Sequence, residues 1–240
     1  MYLLINVVSV CDFIHTLQCL QSVAMVKIPK NSKIYHITHI RNLDNILRDK
    51  MLWSDAKRLE LGLDCEIVGM LEIKRRRLEE LEVKCHSGTM VGEYVPFYFC
   101  PRSIMLYILY MGNHPGIDYH EGQGPIIHLQ ADLEVAVKWA TDNGIRWAFS
   151  DINAGTYAAQ FYDDLSQLND VINWSAVEAA DWHDAAIKEY KQAEFLTYES
   201  FPLGLIEKVG VCNNNIRDRV IDKLGDTVSL EISIEKEWYY

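Results

Sequence analysis

The sequence has little positive charge for its length. Its 240 residues contain 23 lysines and arginines against 34 aspartates and glutamates, and the formal net charge is −11. A protein that coats nucleic acid through its overall field is therefore excluded, because a net negative charge repels phosphates. A local basic track is not excluded, since it depends on where a few cations lie and not on the total.

Paired cysteines are also missing. The six cysteines are scattered, without a CxxC pair or a close His/Cys ligand spacing; they are Cys11, Cys19, Cys65, Cys85, Cys100 and Cys212. This usage indicates reduced thiols and not a disulfide framework or a zinc site, so we expect a cytoplasmic protein. The densest histidine group is His114, His120 and His128. A flexible loop explains that spacing more simply than a metal does, and we expect no metal.

A clean membrane-spanning segment is absent from the sequence. Residues 1–25 are apolar, but Asp12 and His15 interrupt them and no Lys or Arg precedes Lys27. A secretory signal needs a basic start and a spanning helix needs about twenty cleanly apolar residues, so neither is predicted and no membrane partner is expected. Because Met25 opens the more ordinary sequence MVKIPKNSK, we expect translation to start there. Residues 1–25 are then an N-terminal extension that reflects start-site assignment, and residues 26–240 form a single domain.

Apolar and aromatic residues are plentiful, at 49% and 11% of the chain. They predict a globular protein with a substantial core. Segments that alternate as strands are interleaved with segments of helical spacing, and there are no repeats or linkers. This order predicts a single α+β domain, with a further helical stretch around Phe161 and Leu165.

A strand at residues 34–40, IYHITHI, places His36 and Thr38 on the same face. Asn42 is positioned to cap a short helix directly after it. A strand that delivers polar side chains and continues into a helix start is suited to holding a ribose or a phosphate. An ordinary buried strand with one hydrogen-bonded histidine is the alternative, and the pattern alone does not separate the two.

Two basic features stand out in this acidic chain. The first is the block Lys74 to Arg77, on a helix predicted over residues 66–84. It is either a solvated helix face neutralised by glutamates or a contact to phosphates. The second is Arg102, which lies between an aromatic strand and a helix that Ser103 can cap. Its guanidinium suits a phosphate or a carboxylate, and a structural salt bridge is the other interpretation.

One carboxylate lies inside an alternating segment near the end of the chain. In QAEFLT, residues 192–197, Glu194 shares a face with Leu196. Composition favours a solvent-facing glutamate on an edge strand. The other interpretation is a glutamate aimed into a cleft, where partial burial tunes its charge for chemistry.

Four segments together resemble the DarT family of DNA ADP-ribosyltransferase toxins. They are IYHITHIRNLDNIL, YVPFYFCPRSIMLY, KQAEFL followed by FPLGLIE, and the terminal WYY, and they span residues 34–240 in order. The resemblance implies an ADP-ribosyltransferase-like fold, with mixed split β-sheets and flanking helices. It also implies a reaction in which ADP-ribose passes from NAD to a thymidine base in single-stranded DNA and nicotinamide is released. NAD is then a co-substrate, and no metal is expected.

The resemblance also implies which residues hold NAD. His36, Ile37 and Thr38 match the nucleotide-binding HIT segment of the family. Asn45 and Trp53 match positions that help to frame NAD. These five side chains are expected to meet in one site.

Two further residues acquire catalytic roles from the resemblance. Arg102, in the PRS motif, matches an essential arginine that binds NAD and takes part in proton transfer, and Glu194, in the QAEFL motif, matches the catalytic glutamate. Cleavage of the nicotinamide bond leaves an oxocarbenium-like ribose, which a carboxylate stabilises. Tyr94, Tyr98 and Trp147 are candidates for stacking on the unstacked base.

The implied partners are single-stranded DNA and a macrodomain antitoxin of the DarG type, which removes the modification. Two alternatives stay open. One is an ADP-ribosyltransferase that acts on guanine, RNA or protein, and the other is a non-catalytic nucleotide-binding module on the same scaffold.

Overall fold

The structure is a computed structural model that describes residues 32–225 and 230–240. The expected N-terminal extension and start site at Met25 lie outside these residues. Within them the chain mixes strands and helices, as the predicted α+β class requires. None of the helices in the described ranges has the length and apolar character needed to span a membrane.

Ten strands occur in the described residues. They are β1 (Lys33–His39), β2 (Met51–Trp53), β3 (Tyr94–Tyr98), β4 (Ile126–Asp132), β5 (Trp147–Ser150), β6 (Phe161–Tyr162), β7 (Glu194–Tyr198), β8 (Ser200–Pro202), β9 (Ile206–Val211) and β10 (Glu231–Ile234). Eight of them form one sheet in the order β10-β9-β4-β1-β3-β7-β5-β6, and β2 pairs with β8 in a small second sheet. The pairs are antiparallel except for β9 and β10.

Strand β7 lies inside the large sheet, between β3 and β5. Tyr98, the last residue of β3, is paired with Glu194, the first residue of β7. The interpretation of Glu194 as an edge-strand carboxylate is therefore wrong. Strand order depends on pairing between distant segments, which the alternation within QAEFLT does not report.

The helices flank the sheet, and most are short. They are α1 (Leu43–Asp49), α2 (Asp55–Glu60), α3 (Leu71–Glu79), α4 (Ile104–Met111), α5 (Leu133–Asp142), α6 (Leu168–Val171), α7 (Trp174–Glu178), α8 (Ala185–Tyr190) and α9 (Asn214–Leu224). The predicted caps Ser103 and Asp132 are confirmed, because their side chains accept hydrogen bonds from the Leu106 and Val135 amides.

Three local predictions are wrong. Asn42 does not cap α1; its side chain instead bonds Thr38 and the backbone of Glu66, so it joins two segments of the site. The helix predicted over residues 66–84 is confined to α3. The helical stretch predicted around Phe161 and Leu165 is wrong at Phe161, where strand β6 pairs with β5, and is confirmed from Leu165, where a 3-10 turn leads into α6.

The core lies against the inner strands of the large sheet. Phe97 on β3 has its ring centroid 4.6 Å from that of Phe201 and 6.2 Å from that of Phe195 on β7. All three side chains are fully buried. Because burial of a phenylalanine is worth roughly 1.5–3 kcal/mol, this cluster holds the start of β7 firmly beside the end of β3.

The end of the chain is tied to the sheet. The buried hydroxyl of Tyr239 donates to the Ile126 carbonyl at 2.8 Å. The next residue, Tyr240, places its hydroxyl 3.1 Å from the Arg102 carbonyl. At Gly210, a Cβ would come within 2.2 Å of the Trp238 ring, so only glycine lets this ring lie flat on β9.

Candidate active site

A cleft of about 290 Å³ opens beside the start of β7. Its volume is close to the lower end of the range of small-molecule sites, roughly 300–1,000 Å³. Strands β1 and β3 and helices α1 to α4 all contribute to its walls. The five residues predicted to contact NAD line it together: His36, Ile37, Thr38, Asn45 and Trp53.

His36 is held in one tautomer by the backbone. Its Nδ1 lies 2.8 Å from the Pro96 carbonyl oxygen, which can only accept, so Nδ1 carries the proton. Burial lowers the pKa of His36, although the Pro96 hydrogen bond opposes this. The ring is therefore neutral near pH 7, with Nε2 as a hydrogen-bond acceptor.

Asn45 and Trp53 are fixed by contacts to neighbouring segments. The Asn45 side-chain amide donates to the Asp64 carbonyl at 2.8 Å, and the Trp53 indole donates to Asp49 Oδ2 at 3.0 Å. Because each side chain is already anchored on one side, its remaining surface in the cleft is preorganised for a ligand.

Glu194 is almost fully buried, with 1% of its surface exposed. Arg77 Nη1 donates to its Oε1 at 3.1 Å and Arg77 Nη2 to its Oε2 at 2.9 Å. The Ala154 amide donates to Oε1 at 3.0 Å. These donors form a bidentate ion pair with a backbone anchor, the arrangement that gives strong charge-assisted hydrogen bonds.

The charge of Glu194 also acts on Arg77. Burial disfavours the charged guanidinium, but the attraction and hydrogen bonds of Glu194 outweigh it and raise the pKa of Arg77 above its ordinary value. Arg77, Tyr98 and Gln192 line the cleft, whereas Glu194 does not. The guanidinium thus lies between the carboxylate and the open part of the cleft.

A second ion pair crosses the cleft. Lys74 Nζ lies 2.8 Å and 2.7 Å from the two carboxylate oxygens of Asp55. Burial raises the pKa of Asp55, but Lys74 outweighs this and holds that pKa below its ordinary value. The pair joins α2 to α3 and puts a cation against the space predicted for a dinucleotide.

The basic block does not form one continuous track. Lys74 and Arg77 pair with Asp55 and Glu194, and Arg75 pairs with glutamates on its own helix. Glu72 is one of these glutamates and pairs with Arg75 at 2.7 Å. Replacing all four residues from Lys74 to Arg77 would break the Lys74–Asp55 and Arg77–Glu194 pairs. A loss of activity in that variant would therefore not report on DNA binding alone.

The structure places Arg102 outside the set of residues that line the cleft. The Arg102 guanidinium lies over the ring of Tyr240, with its carbon 4.3 Å from the ring centroid. Its Nε is buried without a hydrogen-bond partner among the described residues, and it is not one of the residues that line the cleft. Arg102 therefore does not join the five predicted contact residues in the lining of the cleft, and its guanidinium packs on Tyr240 instead. Its roles in NAD binding and catalysis stay predictions.

Arg77 is the functional candidate that sequence reasoning missed. Ile73, Lys74 and Arg77 lie at helical spacing and all face the cleft. A cation on the same stripe as an apolar residue is expected to be buried and to need a counter-ion. That signal separates Arg77 from Arg75, whose face is solvated.

The three residues predicted to stack on the base lie in different environments. Tyr94 is buried in a side cluster with its hydroxyl 2.9 Å from Thr89 Oγ1, so that prediction is wrong. Trp147 packs against Phe195 of the core, with ring centroids 6.2 Å apart. Tyr98 alone of the three lines the cleft, and burial strongly raises its pKa.

One group of metal-ligand side chains occurs outside the cleft. The ligand atoms of Cys85, His86 and Asp163 lie within 4.8 Å of one another. Nε2 of His86 already bonds the Trp147 carbonyl at 2.9 Å and lies 3.9 Å from Asp163 Oδ2. Because the Trp147 carbonyl can only accept, Nε2 of His86 carries a proton and does not offer a lone pair, and we assign no ion to this group.

Comparisons with known proteins agree with the geometry. A family model described as ssDNA thymidine ADP-ribosyltransferase, DarT, matches residues 35–240. A DNA ADP-ribosyl transferase of Thermus sp. (strain 2.9) is 34% identical over 216 residues, which cover 88% of this chain and 98% of that protein.

Two solved structures of Thermus sp. 2.9 DarT resemble the chain. The one in complex with ADP-ribosylated ssDNA has a TM-score of 0.79 at 34% identity and covers 88% of this chain and 98% of its own. The one in complex with NAD⁺ has a TM-score of 0.70 at 31% identity, with 88% and 99% covered. The predicted ADP-ribosyltransferase-like fold is thereby confirmed.

Proposed function

This chain belongs to the DarT family of single-stranded DNA thymidine ADP-ribosyltransferases, and we propose from its site that it uses NAD to attach ADP-ribose to a thymidine base. Nicotinamide is the leaving group. The observation that carries the proposal is Glu194, a buried carboxylate paired with Arg77 directly behind the wall of a cleft that His36 and Trp53 line. The Thermus sp. relatives, solved with NAD⁺ and with ADP-ribosylated ssDNA, support the choice of both substrates.

NAD would lie along the five predicted contact residues. The unprotonated Nε2 of His36 can accept a hydrogen bond from a ribose hydroxyl. Asn45 and Trp53 are held in place by their own hydrogen bonds and would frame the nucleotide. Lys74 carries the positive charge that a pyrophosphate needs and would share it with Asp55.

Glu194 would act on the nicotinamide ribose. Its carboxylate accepts a hydrogen bond from the 2′-hydroxyl and opposes the positive charge that develops as the C1′–nicotinamide bond breaks. The Ala154 amide donates a hydrogen bond to Oε1 at 3.0 Å and so keeps this oxygen in position. For the ribose to approach, Arg77 has to give up part of its bidentate contact with the carboxylate.

Arg77 would then face the incoming thymine. As N3 of thymine loses its proton to solvent water, negative charge spreads onto the base oxygens, and a guanidinium beside them stabilises it until N3 bonds to C1′. The raised pKa of Arg77 favours a cation that stabilises charge over a base that accepts the proton. Arg102, which does not line the cleft, is assigned to another part of the substrate below.

Incubation with NAD and single-stranded oligonucleotides that differ in one base tests the proposal. A mass gain of one ADP-ribose is expected on thymidine-containing strands and not on strands without thymidine. Glu194→Gln should abolish the gain, while Glu134→Gln, on the exposed face of α5, should not. Gain on guanine, RNA or protein instead would replace the substrate assignment, and no gain on any acceptor would reject the transferase.

We also propose a partner and a setting. A macrodomain antitoxin of the DarG type would remove the modification, and adding such a protein to the modified strand should restore the original mass. The enzyme would act in the cytoplasm; the free thiols of Cys65, Cys85, Cys100 and Cys212 support a reducing compartment. An activity confined to the cell envelope after fractionation would contradict this.

Residues 26–240 are proposed to act as one domain. The family match over residues 35–240 supports this. A chain that starts at Met25 should therefore keep the transferase activity of the full chain, and N-terminal sequencing of the natively expressed protein should find Met25. Recovery of Met1 would contradict the proposed start.

A further inference from the structure

Four aromatic side chains form one cluster at the surface, here called the aromatic platform: Tyr107, Tyr110, Trp182 and Tyr240. The ring of Tyr107 lies 4.6 Å from that of Trp182, 5.0 Å from that of Tyr240 and 6.3 Å from that of Tyr110. Tyr110 is 51% exposed and the other three rings are half-buried. Aromatic rings grouped at a surface leave faces that a ligand can stack on.

Two cations lie on the aromatic platform. The Arg102 guanidinium is 4.3 Å from the Tyr240 ring centroid, and Lys188 Nζ is 5.8 Å from that of Trp182. Neither forms an ion pair with a carboxylate in the described part of the chain. In a chain with a net charge of −11, two unneutralised cations on one cluster are a local positive feature.

Two acids on the same segment, Asp181 and Asp184, are engaged locally, whereas Glu189 lies next to Lys188 on α8. Asp181 bonds His183 at 2.5 Å, and Asp184 accepts from the first amides of α8 as its N-cap. Their charge is therefore directed to local partners, and Arg102 and Lys188 keep their capacity to bind an anion. The buried, unpartnered Nε of Arg102 adds a hydrogen-bond donor that lacks an acceptor in the described residues.

The aromatic platform adjoins the cleft through shared elements. Helix α4 carries Met105 and Ile108 into the cleft and Tyr107 and Tyr110 onto the platform. The segment that holds Trp182 and Lys188 ends at Gln192, which also lines the cleft. A strand whose thymidine enters the cleft would thus pass over the platform with a neighbouring nucleotide.

We propose that the aromatic platform is the binding site for a nucleotide next to the target thymidine in single-stranded DNA. A flanking base stacks on Tyr110 and Trp182, and the backbone phosphate beside it is held by Arg102 and Lys188. This inference rests on the proposed function. It gives Arg102, which does not line the cleft, a role in DNA binding.

Tyr110→Ala and Trp182→Ala test the stacking. Each is expected to raise the KM for a thymidine oligonucleotide about tenfold, the loss typical of one base–aromatic contact. The kcat at saturating DNA and the slow hydrolysis of NAD without DNA should not change. Tyr110→Phe keeps the ring and should keep the parental KM. A KM unchanged in both alanine variants would overturn the proposal.

Lys188→Gln tests the phosphate contact. The slope of log affinity against log salt for a fluorescent oligonucleotide, measured by anisotropy, should fall by roughly 0.7 for one lost contact to single-stranded DNA. Lys138→Gln, an exposed lysine on α5, is the matched control and should leave the slope unchanged. Equal slopes in the two variants would count against the platform.

The two sets of outcomes separate the platform from the reaction. If the parent protein binds the oligonucleotide but modifies no base, the proposed reaction fails while the anisotropy still tests the platform. If the parent modifies thymidine and the Tyr110, Trp182 and Lys188 variants behave as the parent, the platform fails and the reaction stands. Unchanged NAD hydrolysis confirms that each variant is folded.

Discussion

Glu194→Gln is the substitution that most directly tests the electrostatics of the site. It keeps the size of the side chain and removes the charge that Arg77 binds. In the parent, two guanidinium nitrogens donate to Glu194 at 3.1 Å and 2.9 Å, and the two side chains are only 13% and 2% exposed. In the variant the amide nitrogen faces one of these donors, and the buried guanidinium loses its counter-ion.

The expected loss of stability follows from that geometry. Removing one partner of a buried ion pair typically costs about 3–5 kcal/mol. Glutamine still accepts one hydrogen bond through its carbonyl oxygen, so we expect the lower end, about 3 kcal/mol. For a chain of this size such a change lowers Tm by roughly 6–12 °C. Burial is what makes the effect large, since exposed pairs are worth about 0–1 kcal/mol.

Urea unfolding at pH 7 measures the loss of stability, and a double variant that removes both charges serves as the control. Arg77→Met combined with Glu194→Leu replaces the pair by apolar side chains and should be close to the parent in stability, because no charge is left buried alone. Glu194→Gln by itself should unfold at a clearly lower midpoint with the same m-value.

Activity gives the second measurement on the same proteins. Loss of a preorganised charge at a transition state typically lowers kcat by about 10²–10³-fold. Glu194→Gln should show such a loss in transfer to oligonucleotides under conditions where it is still folded. A folded variant with parental transfer rate would refute the electrostatic role, and parental stability would refute the ion-pair reasoning.

Three further predictions concern charged and titratable groups. Arg77→Lys should lower transfer to thymidine by at least about tenfold in the oligonucleotide assay, because an ammonium does not reproduce the bidentate contact with Glu194. Parental activity in this variant would show that a positive charge alone is sufficient for transfer. Asp55→Asn should cost about 1 kcal/mol in urea unfolding at pH 7, since its pair with Lys74 is partly exposed. The folded pKa of Asp55 lies below its ordinary value of 3.8, so this difference between parent and variant should disappear as the pH falls below it; a difference that persists there would refute the ion pair as its source. Burial lowers the pKa of His128 to about 4 from 6.5, so the unfolded state binds more protons between these values and stability should fall by about 3 kcal/mol as the pH drops through this window. His128→Gln should flatten that pH dependence, and an equally steep profile in the variant would contradict the assignment.

Local structure was largely predictable from the sequence. The alternation of IYHITHI predicts β1, and Ser103 and Asp132 predict the starts of α4 and α5, because a strand face and a cap depend on residues within a few positions. Asn42 was mispredicted since its side chain has a better partner, the backbone of Glu66, which lies 24 residues away in sequence. Asparagine is a suitable residue type for a helix cap, but in the folded protein the contact with Glu66 takes the place of the cap.

The composition of the candidate site was only partly predictable. Resemblance supplied the five residues that now line one cleft, and Glu194 as the carboxylate beside it. It did not supply Arg77, whose block of four cations was compatible with a solvated helix face or with a phosphate contact. The stripe of Ile73, Lys74 and Arg77 on α3 distinguishes Arg77 from Arg75, and only the folded structure places that stripe in the cleft and Arg77 beside Glu194.

What the sequence by itself determined is most of the elements, the caps at Ser103 and Asp132 and the chemical types available to the site. Tertiary structure alone decided which of these meet. Glu194 is central because β7 pairs with β3 and β5, and its counter-ion comes from 117 residues away in sequence. Arg102 meets Tyr240 across 138 residues. Such contacts follow from strand order and helix docking, which burial of the whole core selects and which no local pattern encodes.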